Sequence, residues 1–145
     1  MKANTPRFVF YVLVSVLLIA SCTKPYEPAP TPIEKTSLLL TGSVGNSNIW
    51  KLRDILVDNV SQPMSVPLSI FNKTYKRDGT FIDSDGNIGK WNMVQTDSLF
   101  EKVTNCPPTA VAAQGYHISH LTSSELVLDY FVNTHKVSTI YKSVP

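Results

Sequence analysis

The fold is decided by residues 75–93, which read Tyr-Lys-Arg-Asp-Gly-Thr-Phe-Ile-Asp-Ser-Asp-Gly-Asn-Ile-Gly-Lys-Trp-Asn-Met. This stretch contains two turn signals, Asp78-Gly79 and Asp85-Gly86, and each lies between aromatic or branched residues. Asp-Gly between such runs is a strong hairpin signal, because glycine adopts positive φ without steric cost. The stretch therefore predicts three consecutive antiparallel strands, and it contains no recognisable catalytic motif.

Short alternating runs of apolar and polar residues continue on both sides of this meander, and no helical stripe persists for three turns. This pattern predicts an all-β domain whose consecutive strands are joined mostly by hairpin-length turns. The predicted strands are 49–58, 68–76, 80–83, 88–94, 98–103, 116–121, 125–132 and 136–143. Eight sequential strands can remove their exposed edges by closing the last strand onto the first. We therefore predict a single small up-and-down antiparallel β-barrel or half-barrel.

Successive side chains of a strand point to opposite faces, and this alternation predicts which side chains face the barrel interior. Trp50 and Leu52 share one face, but the alternation slips near Asp54, which indicates either a β-bulge or a strand end covered on both sides. Eight strands enclose just enough space for side chains or one small ligand. The predicted inward set is Trp50, Leu52, Phe71, Tyr75, Phe81, Trp91, Met93, Ile118, Leu126, Leu128, Tyr130 and Tyr141.

The N-terminus predicts export and a lipid anchor. Basic residues precede an apolar run at 8–20, which is too short to span a bilayer and is typical of a secretory signal. Ile-Ala-Ser-Cys at residues 19–22 resembles the bacterial lipobox, in which the cysteine thiol receives a diacylglyceryl group and the chain is cut before it. Several acyl chains on Cys22 would hold a soluble domain at a membrane, since each buried CH₂ contributes about 0.8 kcal/mol. The alternative is an ordinary signal peptide with a chance cysteine.

Three segments follow from these signals. Residues 1-21 are predicted as a lipoprotein signal peptide, 22-45 as the lipidated cysteine with a flexible Pro-rich tether, and 46-145 as the β domain. Four prolines between residues 24 and 32 favour an extended, semi-rigid spacer. The run 33–40 is ambiguous, because it fits either a short helix or a cap on the domain.

Charge argues against a nucleic-acid partner. The chain has 13 basic and 11 acidic residues, and loss of Lys2 and Arg7 with the signal leaves a formally neutral protein. No clustered basic stripe suits a phosphate backbone. The predicted partners are therefore the membrane, through lipid on Cys22, and either a small hydrophobic ligand or another envelope protein.

The second cysteine, Cys106, has no predicted disulfide partner once Cys22 carries lipid. A catalytic thiol needs a neighbouring base that lowers its pKa, and the sequence places none beside it. A packed or exposed structural cysteine is therefore favoured.

Two patterns bear on metal binding. Residues 83–87 resemble the start of a calcium loop, but the glycine and glutamate that an EF-hand requires are replaced by Ile88 and Val94, so a hairpin turn is favoured. His117 and His120 are assigned to opposite faces of one strand, where they cannot chelate one ion together. No metal site and no cofactor is predicted.

Catalytic motifs are likewise missing from the sequence. Neither a Gly-x-Ser-x-Gly elbow nor a phosphate loop is present, and the acidic residues mostly fall at turns or opposite apolar positions. We therefore predict that the protein is not an enzyme.

Asp97-Ser98-Leu99 matches a short acceptor motif for O-glycosylation used in Bacteroidetes, which makes Ser98 a candidate glycosylation site. The alternative is that these residues only form a polar turn.

Four motifs fall in order along the chain: Asn-Ile-Trp-Lys-Leu at 48–52, Thr-Tyr-Lys-Arg-Asp-Gly-Thr-Phe at 74–81, Ile-Gly-Lys-Trp-Asn-Met at 88–93, and Ile-Ser-His-Leu-Thr-Ser-Ser-Glu-Leu-Val-Leu at 118–128. This ordered set resembles the lipocalin-like lipoproteins common in Bacteroidetes. The resemblance implies an up-and-down β-barrel or half-barrel. It implies less about function, because most members of that family have no assigned ligand or activity.

Two functional hypotheses remain. The first is a lipoprotein anchored at the bacterial outer membrane whose barrel binds a small apolar or amphipathic ligand. The second is a non-enzymatic interaction or accessory protein with a packed barrel core that contacts another envelope protein. The volume of the barrel interior discriminates between them. The candidate ligand-lining residues are Tyr75, Phe81, Trp91, Tyr130 and Tyr141.

Overall fold

The computed structural model describes residues 28–42, 47–105 and 113–144. The predicted signal peptide, Cys22 and Cys106 lie outside these ranges. The described helices are α1 (Pro32–Thr41) and α2 (Val66–Ile70). The described strands are β1 (Ser47–Val57), β2 (Val60–Ser61), β3 (Asn72–Lys76), β4 (Thr80–Asp83), β5 (Ile88–Gln95), β6 (Ser98–Val103), β7 (Ala113–Leu121), β8 (Glu125–Val132) and β9 (His135–Val144).

The strands form one antiparallel sheet that closes into a barrel. Strands β3 to β9 pair in sequential order, and β1 pairs with both β3 and β9. The two-residue strand β2 extends only the end of β1. Closure satisfies the backbone donors and acceptors that an open sheet would leave at its edges. The predicted all-β barrel of eight strands is confirmed.

Both Asp-Gly turns form as predicted. Gly79 and Gly86 adopt φ values of 82° and 84°, in the left-handed region that side chains disfavour. The carboxylate of Asp83 accepts hydrogen bonds from the backbone amides of Asp85 and Asn87, both at 3.0 Å. Residues 83–87 therefore form a hairpin turn, and the carboxylate that resembled a calcium ligand is used by the turn itself.

A β-bulge explains the slip in the first strand. The pairing register between β1 and β9 shifts between Leu52 and Asp54. Leu52 therefore lies opposite Tyr141, and Ile55, after the bulge, lies opposite Thr139 on the same inner face. Of the two alternatives for this strand, the bulge is the one that forms.

The predicted inward side chains fill the barrel. Nine of the twelve are buried, and the other three, Phe71, Met93 and Tyr130, are partly buried. Leu40 and Leu99 complete the same core cluster, although they were not in the predicted set. Dense packing of large aromatic and aliphatic side chains is the main source of stability in so small a domain.

Helix α1 lies inside the segment 22-45, for which a flexible tether is predicted, so the structure differs from that description at residues 32–41. Thr31 and Glu34 form a reciprocal capping box, and Pro32 begins the helix. These are standard helix-start signals, and a short helix is one of the two alternatives that the sequence left open for residues 33–40. Leu40 and Thr41 are buried, so the helix also covers one end of the barrel.

Neither helix in the described ranges has the length and apolar character needed to cross a membrane.

The segment before β3 also differs from prediction. A strand is predicted to start at residue 68, whereas α2 occupies Val66–Ile70 and β3 begins at Asn72. Pro67 lies in the first turn of α2, where its missing N–H removes no hydrogen bond from the helix.

Candidate functional site

Three of the predicted ligand-lining residues form a packed aromatic cluster. The ring centroid of Tyr75 lies 6.2 Å from that of Phe81 and 6.0 Å from that of Trp91. All three side chains are buried, as is Tyr141 on β9. These four residues therefore pack in the core of the barrel.

The fifth residue, Tyr130, lies apart from this cluster. It belongs to β8, three residues from the turn into β9, and is half-buried. Its ring meets that of Tyr116 edge to face, with centroids 5.5 Å apart. Tyr116 is absent from the predicted lining, although it alternates with Ile118 on the inner face of β7.

A buried ion pair occupies the interior next to these rings. The ammonium nitrogen of Lys73 lies 2.7 Å from Oε2 of Glu101, and the hydroxyl of Tyr75 donates a hydrogen bond to Oε1 of the same carboxylate. Lys73 is 7% exposed and Glu101 is 4% exposed. Neither residue is predicted from the sequence as part of a site. The sequence did contain the information, because residues two apart on a strand face the same side: Lys73 faces the same side as Tyr75, and Glu101 the same side as Leu99.

Aromatic faces surround the ammonium group of Lys73. Its nitrogen lies 5.9 Å, 5.2 Å and 5.6 Å from the ring centroids of Tyr75, Phe81 and Tyr116. Such contacts offset part of the cost of removing a cation from water. The pKa of Tyr75 is raised well above its usual range by burial and by the negative charge of Glu101. Tyr75 therefore stays protonated and continues to donate its hydrogen bond.

The barrel wall opens between β7 and β8 at the end opposite α1. The described ladder between these strands runs from Leu121–Leu126 only as far as His117–Asp129. Before His117, β7 pairs with β6, and after Asp129, β8 pairs with β9. The two strands therefore separate, and Tyr116 and Tyr130 face each other across the gap from the inner side.

A groove of about 540 Å³ lies at this opening. Its inner part is formed by Tyr116 and Tyr130, and behind Tyr116 lies the ammonium group of Lys73. Gly115 lines the groove without a side chain, and the space beside its Cα is open, since a Cβ atom there would meet no other atom within 4 Å. The outer part is formed by Ser98, His117, Asp129, Phe131 and Lys136.

The rim of the groove carries a second ion pair, between Oδ2 of Asp129 and Nζ of Lys136 at 2.7 Å. The other carboxylate oxygen, Oδ1 of Asp129, is buried and accepts no hydrogen bond from the described residues. Burial works to raise the pKa of Asp129, but the ion pair with Lys136 and the nearby hydroxyl groups of Ser138 and Ser119 outweigh it and hold the pKa below its usual range. Asp129 is therefore ionised at neutral pH and has one acceptor oxygen to spare.

The histidines do not lie where the sequence predicts. A bulge between Ile118 and His120 shifts the register of β7 against β8, so that His120 lies opposite Val127. His117 and His120 therefore both face outward, and their assignment to opposite faces is wrong. Each has its own acidic neighbour: His117 lies 3.6 Å from Asp97, and His120 lies 3.7 Å from Glu125. No cluster able to hold a metal ion occurs among residues 28–42, 47–105 and 113–144.

The candidate glycosylation site, Ser98, is the first residue of β6. It is half-buried and lines the groove, whereas the preceding Asp97 is exposed in the turn. Its hydroxyl therefore lies beside the strand pair that forms the site, not at the tip of a loop.

The geometry combines aromatic surface, paired charges and one spare acceptor at a break in the barrel wall, which suits binding of a small molecule. Comparison with family models, with curated proteins and with solved structures found no match to this chain.

Proposed function

We propose that this protein is a lipocalin-like lipoprotein, anchored at the outer membrane through Cys22, whose barrel binds a small amphipathic ligand without catalysing a reaction. The lipobox-like residues 19–22 and the ordered barrel motifs support the anchor and the family resemblance. The closed barrel is compatible with a binding role of this kind.

One observation carries the proposal: the wall opens between β7 and β8 above a half-buried pair of tyrosines. The groove volume of about 540 Å³ falls within the range of about 300–1,000 Å³ that is usual for small-molecule sites. Tyr116 and Tyr130 offer apolar ring surface, and Phe131, which is 69% exposed, extends that surface outward. Asp129 and Lys136 supply polar groups on the rim.

In this arrangement the predicted lining residues have two roles. Tyr130 contacts the ligand directly. Tyr75, Phe81, Trp91 and Tyr141 form part of the packed core behind the site, and the rings of Tyr75 and Phe81 contact the ammonium group of Lys73. A rigid apolar background reduces the entropy lost when a ligand binds.

The test uses the mature chain and N-phenyl-1-naphthylamine, an uncharged apolar probe whose fluorescence rises on transfer out of water. Saturable binding is expected for the wild type and for Ile88→Ala, a control on the outer face of β5. Tyr130→Ala is expected to weaken binding at least about tenfold, because a buried aromatic contact contributes on the order of 1–3 kcal/mol. Equal binding by Tyr130→Ala and Ile88→Ala would place the probe elsewhere and overturn the proposal.

A second candidate function is favoured by the tight core. Trp50, Tyr75, Leu126 and the other largest core side chains are completely or almost completely buried, which suits an interaction protein with a filled barrel. Grooves of about 510 Å³ lie on both sides of α1, and Leu38 lines both. This function predicts no saturable probe binding, and a discrete protein adduct when a photo-crosslinker replaces Leu39 in intact cells.

A further inference from the structure

The most unusual polar group on the barrel surface is the carboxylate of Asp129. The residue is 5% exposed, and its Oδ1 atom is closed off from solvent without a hydrogen-bond partner among the described residues. A buried acceptor that is left unpaired destabilises the folded protein. A donor that reaches Oδ1 would recover part of the lost stability.

Lys136 supplies the complementary half of the site. Its ammonium group has three N–H donors, and one of them is used by Oδ2 of Asp129 at 2.7 Å. The lysine side chain is 41% exposed, so the remaining donors are accessible to a ligand. A spare acceptor therefore lies beside spare donors.

Hydroxyl groups match this arrangement better than charged groups do. A hydroxyl can donate to Asp129 and accept from Lys136 at the same time. The charges of Asp129 and Lys136 balance, so neither an anionic nor a cationic headgroup gains net electrostatic attraction there to offset the loss of its hydration. The exposed ring of Phe131 provides an apolar surface beside them.

We propose that the groove between β7 and β8 selects an uncharged, hydroxyl-bearing headgroup, of the kind carried by an alkyl glycoside, through Asp129 and Lys136. This inference rests on the proposed function, because it names the headgroup of the ligand bound at the same opening. Because Oδ1 is closed off from solvent, a ligand hydroxyl reaches it only when neighbouring side chains move, and Lys136, whose side chain is 41% exposed, has room to do so. The apolar tail then contacts Tyr116 and Tyr130.

The experiment compares three amphiphiles with the same eight-carbon tail: octyl β-glucoside, octyl sulfate and octyltrimethylammonium. Each competes with N-phenyl-1-naphthylamine for the mature wild-type chain, below its critical micelle concentration. Octyl β-glucoside is expected to displace the probe at a concentration about tenfold lower than either charged amphiphile, as one hydrogen bond to a charged group would produce. This ranking needs no variant and so does not depend on the folding of a mutant.

A matched pair of variants then tests the residue. Asp129→Asn is expected to remove the preference for the glucoside, whereas Asp85→Asn, in the exposed turn after β4, is expected to keep it. Equal displacement by all three amphiphiles would show that only the tail is recognised, and would overturn the inference while leaving the proposed function intact. Stronger displacement by either charged amphiphile would also overturn the inference. If no amphiphile displaced the probe and the probe itself did not bind, the proposed function would fall as well.

Discussion

The indole nitrogen of Trp50 donates a hydrogen bond of 2.8 Å to the carbonyl oxygen of Leu40, and both residues are completely buried. The bond joins the last turn of α1 to the first strand of the barrel. Carbonyl groups at a helix C-terminus have no partner within the helix, so the indole satisfies one that would otherwise be buried unpaired. The helix is thereby held over one end of the barrel.

Replacing Trp50 with phenylalanine should loosen this helix selectively. The carbonyl of Leu40 would lose its donor, which lowers the free energy of unfolding by about 1–3 kcal/mol. Hydrogen exchange should accelerate at the amides of residues 36–41, as measured by mass spectrometry. Trp91→Phe is the control, because the indole of Trp91 donates to the carbonyl oxygen of Lys76, the last residue of β3. Unchanged exchange in α1 of Trp50→Phe would contradict this account of the helix.

The Lys73–Glu101 pair should show strong energetic coupling. Lys73→Met alone or Glu101→Gln alone should lower the free energy of unfolding by about 3–5 kcal/mol, because each change affects one member of a buried charge pair. The double variant should melt above the Lys73→Met variant, since no unpaired charge remains and the amide oxygen of the introduced glutamine still accepts a hydrogen bond from Tyr75. Thermal melts followed by circular dichroism give the comparison. If the stability loss of the double variant equalled the sum of the losses of the two single variants, the two charges would not be coupled.

Alkaline pH should unfold the protein. Burial raises the pKa values of Tyr75, Tyr116, Tyr130 and Tyr141, and the charge of Glu101 adds to the effect for all of them except Tyr130. Tyrosines in the unfolded chain ionise near pH 10, so the folded state binds more protons above that pH. The contribution of these groups to stability is therefore complete below about pH 10 and is lost as the pH rises further.

Absorbance at 295 nm and far-ultraviolet circular dichroism during the same titration check this prediction. Ionisation of the buried tyrosines should coincide with the loss of β structure, and Tyr141→Phe should make stability less steeply dependent on pH. Titration of all tyrosines near pH 10 in a chain that stays folded would rule out the proposed cause.

Gly89 should not tolerate a side chain. A Cβ atom there would lie 2.4 Å from the carbonyl oxygen of Lys102 and 2.5 Å from the ring of Phe81. Because the first of these is a backbone atom held in the β5–β6 ladder, Gly89→Ala should cost at least about 1–3 kcal/mol. Gly115→Ala is the matched control, since its Cβ meets nothing within 4 Å. Urea denaturation should separate the two variants; equal midpoints would mean that β5 can shift freely.

Lipidation is expected at Cys22. Cells fed labelled palmitate should label the wild-type protein but not Cys22→Ala, because the thiol is the attachment point for the lipid. Gel autoradiography of the purified proteins gives the measurement, and Cys106→Ala is the control that keeps the signal intact. Equal label in the wild type and Cys22→Ala would exclude this anchor.

The sequence by itself determined the strands, the turns and most of the core. Alternation with period two requires only neighbouring residues, and the Asp78-Gly79 and Asp85-Gly86 turns depend on the φ of a single glycine. The ordered series of hairpins also predicted a barrel or half-barrel, and the pairing of β1 with β9 in the structure shows that the barrel is closed. Even the bulge near Asp54 appeared in the sequence as a break in the alternation of apolar and polar residues.

Only the tertiary structure decided the site. Lys73 and Glu101 lie 28 residues apart, and their contact depends on how β3 and β6, which have two strands between them, are staggered. The bulge that turns His120 outward does not interrupt any alternation of apolar and polar residues, because the stretch around it is polar. The separation of β7 from β8 depends on how each of these strands pairs with its other neighbour. Parity assigns a side chain to a face of its own strand. Which side chains meet across the interior, and where the wall opens, is set by register and twist summed over the whole barrel.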